Sequence, residues 1–304
     1  MSAYVARRFG QAVLTLIVVS MVIFLLMKLY GGDPGVILLG RSYTPAKAHA
    51  IDVALGMTLP WPMQYLRWLR LLFAGGLSGA FGTLPASLLL LVLGGGIGLA
   101  LAVGAASVQA RFPHSWADRV TSALSLIFYT FPSFWVAGLL SLWFVFELGW
   151  LPMVPPGMPG NTGFGSWALT LVIPVLSLAL TSVAAWSLHL RVAFDEAFAS
   201  DYVRTARAKG LPERAVVRRH VLRNGLLPLL SILGMSYPVL LSNLIVLEPY
   251  FTQSGIGGAI FAAIGMRAYG SMLDVVLVLG ILVIGANLLT DIAIACVDPR
   301  VRFS

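Results

Sequence analysis

The histidines and the cysteine are the side chains in which metal-binding or nucleophilic chemistry would first be sought. His49, His114, His189 and His220 fall in four different segments, and Cys296 is the only cysteine. Neither His-Glu-x-x-His nor Cys-x-x-Cys spacing occurs, and no nucleophile–base constellation accompanies them. The sequence therefore predicts that this chain is not an enzyme and binds no metal and no cofactor.

A basic segment past the middle of the chain has more informative spacing. Ser200 or Asp201 can cap a short helix that runs through Ala208. Gly210 then supplies a residue that tolerates the left-handed conformation, and Pro212 suits the first turn of a second helix. The sequence predicts two short helices joined by a sharp bend.

The first of these helices has an apolar stripe formed by Tyr202, Val203 and Ala206, whereas Arg204 and Lys209 are polar positions. A segment surrounded by water has no use for such a stripe. One interpretation is a rigid knob that fits a groove on a soluble partner. The other is a basic loop held against anionic lipid, and the pattern alone does not decide between them.

The remainder of the chain lacks the polar residues that a water-facing surface needs. Hydrophobic residues make up 59% of the whole chain and charged residues 11%, whereas a soluble protein is about 25% charged. A bilayer core needs about 20 apolar residues per helix. Six runs of this kind predict an all-α integral membrane protein with six transmembrane helices: 11–30, 84–107, 121–145, 167–190, 225–247 and 272–295.

The basic residues favour a topology with both termini in the cytoplasm, because most of the 20 lysines and arginines then fall on the cytoplasmic side. The net charge of +8 comes without a nucleic-acid-binding motif, so nucleic acid is not an expected partner. No small-residue cleavage site follows the first run, and we expect it to remain as a helix.

Residues 31–83 form a long outward connection in which Tyr65, Trp68, Leu69 and Leu72 recur at helical spacing. This pattern predicts an amphipathic helix at the outer membrane–water boundary. Within the predicted spans, prolines are expected to bend their helices and a glycine cluster to allow close helix approach. These residues are Pro132, Pro174, Pro238, Gly94, Gly95, Gly96 and Gly98.

The basic segment resembles the EAA loop of ABC-importer permeases, in the form found in the dipeptide/oligopeptide/nickel permease family. The match begins at Glu196-Ala197 and continues without a gap through 201–211 and 220–224 to Leu227-Pro228. Further similarities cover nearly the whole chain. They lie at 4–8, Gly32-Asp33-Pro34, 64–69, 248–251, 254–257, 287–291 and 298–302.

The resemblance implies a type I ABC-importer permease fold in a single transmembrane domain, 1–304, with a cytoplasmic coupling loop at 191–224. It implies as partners a second homologous permease, two cytoplasmic ATPase subunits and an extracytoplasmic solute-binding protein in a bacterial inner membrane. ATP and Mg²⁺ would be bound by the ATPases, since this chain has no phosphate-binding loop. Peptides are the leading substrate class, with nickel or a metal chelate second.

The resemblance also assigns the coupling role to particular residues. They are Glu196, Ala197, Asp201, Tyr202, Arg204, Ala206, Lys209, Gly210, Leu211 and Pro212. Within this set we expect Tyr202, Ala206 and Leu211 to form an apolar contact with the ATPase, and Arg204 and Lys209 to add charge complementarity.

Polar residues inside the spans are candidates for a transport pathway, because polar groups facing lipid are costly. They are Ser133, Ser182, Ser242 and Asn243, for which helix–helix hydrogen bonding is an equal alternative. A stand-alone channel or secondary transporter is the rival class of function. Such proteins more often show internal repeats or midplane charge, which this sequence lacks.

Overall fold

The computed structural model describes residues 2–30, 39, 44–152, 164–222, 229–251, 253–266 and 268–297, and its regular elements there are all helical. Several sequence motifs lie outside these ranges: Gly32-Asp33-Pro34, Leu227-Pro228 and 298–302. The helices are α1 (Ser2–Tyr30), α2 (Pro45–Leu55), α3 (Trp61–Leu71), α4 (Leu77–Phe81), α5 (Leu84–Arg111), α6 (Trp116–Thr130), α7 (Ser133–Ser141), α8 (Phe164–Ala199), α9 (Asp201–Ala208), α10 (Glu213–Val216), α11 (Leu229–Tyr250), α12 (Ile256–Gly265) and α13 (Tyr269–Val297). Wider π-helical turns continue α3, α7 and α10 over Leu72–Gly76, Leu142–Glu147 and Val217–Val221.

Five described helices are long and apolar enough to cross a membrane. They match five of the six predicted runs and cover Ala6–Leu29, Leu84–Arg111, Gly165–Ala199, Ser231–Tyr250 and Gly270–Ile292. The all-α membrane fold predicted from the sequence is therefore confirmed.

The remaining predicted run, 121–145, is not one straight helix. α6 and α7 meet at an angle of 105° between Thr130 and Ser133. Phe131 is extended because the ring of Pro132 disfavours helical backbone in the preceding residue. The predicted bend at Pro132 is confirmed, and the count of six spans holds when this bent pair is taken as one span.

The contacts of the chain group into two compact units. The first comprises residues 1–86 and 254–288, and its buried core consists of Phe24, Trp68, Leu72, Leu273 and Leu277. α3 therefore buries the predicted apolar stripe, with Tyr65 and Leu69 packed at the edge of this core. The stripe packs against α1 and α13, and the position of α3 at the outer membrane–water boundary stays a prediction.

A polar contact fixes α3 and the turn after it to α13. The indole Nε1 of Trp68 donates a hydrogen bond to Oδ1 of Asp274 at 2.9 Å. Gly76 lies so close to the same carboxylate that a Cβ there would be 2.5 Å from Oδ2 of Asp274. A side chain at position 76 would therefore have to displace the carboxylate of Asp274.

We expect Gly76→Ala to destabilise the protein by about 1–3 kcal/mol, because Asp274 must then move and leave Trp68 without its acceptor. Gly79→Ala is the matched control, since nothing lies within 4 Å of the Cβ it would add. Thermal unfolding in detergent measures both variants. Equal melting temperatures for the two alanine variants would contradict this account of Gly76.

The second unit comprises residues 87–253 and 289–304, and α8 is its central helix, contacted along its length by α6, α7 and α11. Two members of the glycine cluster adjoin it. A Cβ on Gly94 would be 2.8 Å from Cδ2 of Leu178, and a Cβ on Gly98 would be 3.0 Å from the backbone oxygen of Ala179. The predicted close helix approach is confirmed at these two glycines.

A Gly98→Val substitution is expected to force α5 away from α8 at a cost of about 1–3 kcal/mol, because backbone blocks the added side chain. Gly96→Val changes the same helix at a position with open space around its Cβ. The yield of folded protein after detergent extraction and its melting temperature should fall for Gly98→Val only. A similar loss for Gly96→Val would show that helix propensity, not packing, explains the effect.

Candidate partner-docking site

The long helix α8 carries the candidate site. It has 36 residues and at 1.5 Å per residue is about 54 Å long, well beyond the ~30 Å hydrocarbon thickness of a bilayer. The helix therefore extends out of any bilayer that its apolar part spans. Its final turns position the segment that follows.

A turn at Ser200 separates α8 from α9. Ser200 has extended backbone, and its hydroxyl donates to the carbonyl oxygen of Ala197 at 2.5 Å. The predicted start of the helix is confirmed, although the hydroxyl of Ser200 bonds back to α8 and caps no amide of α9. Asp201 stands in the first turn of α9, where a negative charge is favoured by the helix dipole.

The bend after α9 is a Schellman turn centred on Gly210. The amide of Gly210 donates to the oxygen of Arg207 at 2.9 Å, and the amide of Leu211 donates to the oxygen of Ala206 at 3.3 Å. Gly210 has a φ of 76°, in the region that residues with a Cβ disfavour. Pro212 then immediately precedes α10, so the predicted pair of short helices with a sharp bend is confirmed.

The inner face of α9 packs on this chain. Val203 and Ala206 are buried, as are Phe194 on α8 and Val216 on α10, and α9 contacts both neighbouring helices. Intrachain packing therefore covers Ala206, and its predicted contact with a partner stays untested. Ala197 is buried in the same way at the end of α8.

The outer face of the segment is largely exposed. Tyr202 is 39% exposed although its ring is large and apolar. Leu211 is half-buried. The other predicted coupling residues are exposed: Glu196, Asp201, Arg204, Lys209, Gly210 and Pro212.

An ion pair closes the bend between α9 and α10. Nη2 of Arg207 lies 2.7 Å from Oε1 of Glu213, and its Nε lies 3.3 Å from Oε2. The hydrogen bonds from Arg207 hold the pKa of Glu213 below its usual 4.5, with a smaller contribution from the charge of Arg111. The pair is therefore intact near neutral pH and is lost only as the pH falls through that lowered pKa.

The candidate pathway residues do not form one set. Ser182 and Asn243 line a cavity of about 270 Å³ between α8 and α11, together with Trp186 and Ser236. Ser133 is buried and Ser242 is exposed, and neither lines this cavity. The hydroxyls of Ser182 and Ser242 donate to backbone oxygens of their own helices at 2.6 and 2.9 Å, whereas the alternative foreseen for them was hydrogen bonding between helices.

Two buried charged contacts in the second unit were missed by the sequence reasoning. Glu248 is completely buried on α11 and accepts a hydrogen bond from Oγ of Ser87 at 2.5 Å. Asp118 on α6 is paired with Arg191 on α8 at 3.0 Å. The signal available was an acid in or beside an apolar run, since such residues are rarely left without a partner. In the part of the chain that is described, no three His, Cys, Asp or Glu residues gather to hold a metal.

Comparison with known families identifies the chain that carries this segment. Residues 1–93 match the N-terminal membrane component of binding-protein-dependent transport systems. Residues 94–303 match the inner membrane component of binding-protein-dependent transport systems. The chain belongs to this family. It is an ABC transporter permease, which is a transport component and not an enzyme.

Relatives of this permease match it from end to end. It is 32% identical over 316 residues to a putative peptide transport system permease protein of Brucella abortus (strain 2308), with 100% of each chain covered. It is 29% identical over 322 residues to the oligopeptide transport system permease protein AppB of Bacillus subtilis (strain 168), and 29% identical over 334 residues to the dipeptide transport system permease protein DppB of Alkalihalophilus pseudofirmus, again with 100% of each chain covered.

The family predicted from the EAA-like segment is thereby confirmed, and the permease is a multi-pass protein of the inner membrane. Membership implies an importer with ATPase and binding-protein partners. The coupling role of the individual residues in 191–224 stays a prediction. The segment has a buried inner face, an exposed outer face and a bend at a glycine.

Proposed function

We propose that this permease is one half of the membrane channel of an ATP-driven peptide importer. The outer face of α9 docks on a cytoplasmic ATPase and transmits its closure to the spans. The observation that carries this proposal is the exposed α9 face at the end of a helix too long for the bilayer. The assembly contains a second homologous permease, two ATPase subunits and an extracytoplasmic solute-binding protein. The two ATPases bind ATP and Mg²⁺.

The exposed residues of the segment fit a partner groove with a mixed lining. Tyr202 supplies an aromatic contact of the kind that dominates binding energy in interfaces. Arg204 and Lys209 are exposed cations on the same short helix, and they favour an acidic rim on the partner. Because the inner face of α9 packs on α8, an ATPase that displaces the outer face of α9 also displaces α8.

Docking of this segment on a cytoplasmic ATPase determines the topology. The end of α8 and the helices α9 and α10 lie in the cytoplasm. Both termini lie there too, in agreement with the excess of lysine and arginine on that side.

Peptides are the proposed substrate class because the full-length relatives are named for peptide, oligopeptide and dipeptide transport. The cavity lined by Ser182 and Asn243 is the proposed section of the pathway within this subunit. Its lining combines apolar side chains with a few hydrogen-bonding groups, which suits passage of varied peptides without tight binding.

Uptake of a labelled di- or oligopeptide into proteoliposomes tests this function. The reconstituted complex should accumulate peptide only when ATP, the ATPase subunits and the binding protein are all present. Omission of each component is the control for the others. Peptide flux through the permease alone, without ATP, would contradict the proposal and support the channel class.

A further inference from the structure

A buried carboxylate on α6 is held by α8 at the base of the docking segment. The side chain of Asp118 is 7% exposed, and Nη1 of Arg191 lies 3.0 Å from its Oδ1. Nη2 of Arg191 lies 3.3 Å from Oδ2, so the guanidinium grips both oxygens. Paired contacts of this kind fix orientation as well as distance.

The same carboxylate also organises the turn between α5 and α6. The amide of His114, a residue with a φ of 63°, donates to Oδ2 of Asp118 at 2.9 Å. Oγ of Ser122 donates to Oδ1 at 3.1 Å and itself accepts from Nη1 of Arg191 at 3.1 Å. A charge this deeply buried is retained only when it is fully paired, and Asp118 has donors from the turn, from its own helix and from α8.

A second polar contact lies about two turns from Asp118 along α6 and about one turn from Arg191 along α8. The hydroxyls of Ser125 on α6 and Ser187 on α8 are 2.9 Å apart and both residues are buried. The two contacts form a ladder between antiparallel stretches of α6 and α8. Sliding of one helix past the other would break both rungs at once.

The ladder joins α8, which is connected to the docking helix α9, to α6, which is connected to α7. α8 leads through Ser200 directly into α9, and α6 leads through Pro132 into α7. Any displacement of α9 that moves α8 is thus passed to α6 and to the 105° bend.

We propose that Asp118 and Arg191 are positioning residues that lock α6 to α8, so that both helices move as one rigid body when an ATPase displaces the docking segment. This inference rests on the proposed function and adds a second route, through α6 and the bend at Pro132, by which docking reaches the membrane.

A disulfide that links α6 to α8 tests the proposal. In a Cys296→Ser background, Ser125→Cys and Ser187→Cys place two thiols at positions whose hydroxyls are 2.9 Å apart, within reach of a disulfide after small adjustment. Oxidation should leave peptide uptake by the reconstituted complex unchanged. Uptake that is lost on oxidation and restored by a reductant would show that α6 and α8 must slide, and would overturn the proposal.

Asp118→Asn provides a second test, and its first measurement does not require a disulfide. It should lower the number of peptides taken up per ATP hydrolysed by roughly five-fold or more, with ATPase association retained. The exposed neighbour substitution Arg119→Gln should leave that ratio unchanged. Oxidation of the cysteine pair in the Asp118→Asn variant should restore the ratio, which a purely structural role for Asp118 would not predict.

An unchanged ratio in Asp118→Asn, or the same drop in Arg119→Gln, would contradict the lock. These failures are distinct from failure of the proposed function. If the Cys296→Ser parent complex itself shows no ATP-dependent uptake, the importer assignment fails. If the parent complex transports peptide and only the lock variants differ from the expected uptake or uptake per ATP, the importer assignment stands and the lock is refuted.

Discussion

Gly210→Val is expected to reduce ATP-driven peptide uptake at least about ten-fold while the permease stays folded in the membrane. A φ of 76° costs a residue with a Cβ about 1–2 kcal/mol, and more when it is β-branched. Nothing lies within 4 Å of the Cβ position, so the added Cβ itself meets no other atom of the chain. The strain instead opens the Schellman turn and displaces the outer face of α9.

Gly210→Asn is the matched control for this substitution. Asparagine tolerates the left-handed conformation, so most of the uptake and the ATPase association should remain. Uptake assays and co-purification of the ATPase measure the two variants side by side. Full activity in Gly210→Val would contradict the importance of the bend, and equal loss in both variants would assign the effect to the side chain and not to the backbone.

Val203→Asp is expected to have the second large effect, because it places a carboxylate on the buried inner face of α9. Val203 is fully buried, and burial of an unpaired charge costs several kcal/mol. The helix should therefore leave its seat on α8, lose ATPase association and become sensitive to protease within 200–222. The changed contacts involve only the end of α8 among the spans, and the spans should remain protected.

Thr205→Asp is the control, since Thr205 is exposed on the same helix. Limited proteolysis of detergent-solubilised permease should cut Val203→Asp and leave Thr205→Asp as resistant as the wild type. Cleavage of both variants at the same rate would mean that α9 is not seated by its inner face.

Local sequence signals predicted the docking segment well. The helix start at Ser200, the glycine at 210 and the proline at 212 depend on a few neighbouring residues only, and the structure has the predicted helices and bend. The bend at Pro132 was predictable for the same reason. Each of these signals depends on backbone geometry that the residue itself determines.

The partners of buried faces could not be predicted from the sequence. Helical spacing shows that Val203 and Ala206 share an apolar face with Tyr202, yet the structure buries the first two on α8 and α10 and leaves much of Tyr202 exposed. Periodicity identifies a face and says nothing of what covers it. The packing of the α3 stripe against α1 and α13 could not be predicted for the same reason.

Contacts between distant residues were also beyond sequence reasoning. Asp118 and Arg191 are 73 residues apart, and Trp68 and Asp274 are 206 apart. The carboxylate of Asp274 also lies where a Cβ on Gly76 would be, and only the fold brings these two residues together.

Site-specific photo-crosslinking from the outer face of α9 tests the central claim most directly. A photoreactive amino acid at Tyr202 should form an adduct with a phosphate-loop ATPase in native membranes. The same probe at Met63 on α3, which is 57% exposed, should form none. Adducts of the Tyr202 probe with lipid alone, in membranes that contain the ATPase, would contradict docking through α9 and favour the interpretation of this segment as a lipid-bound basic loop.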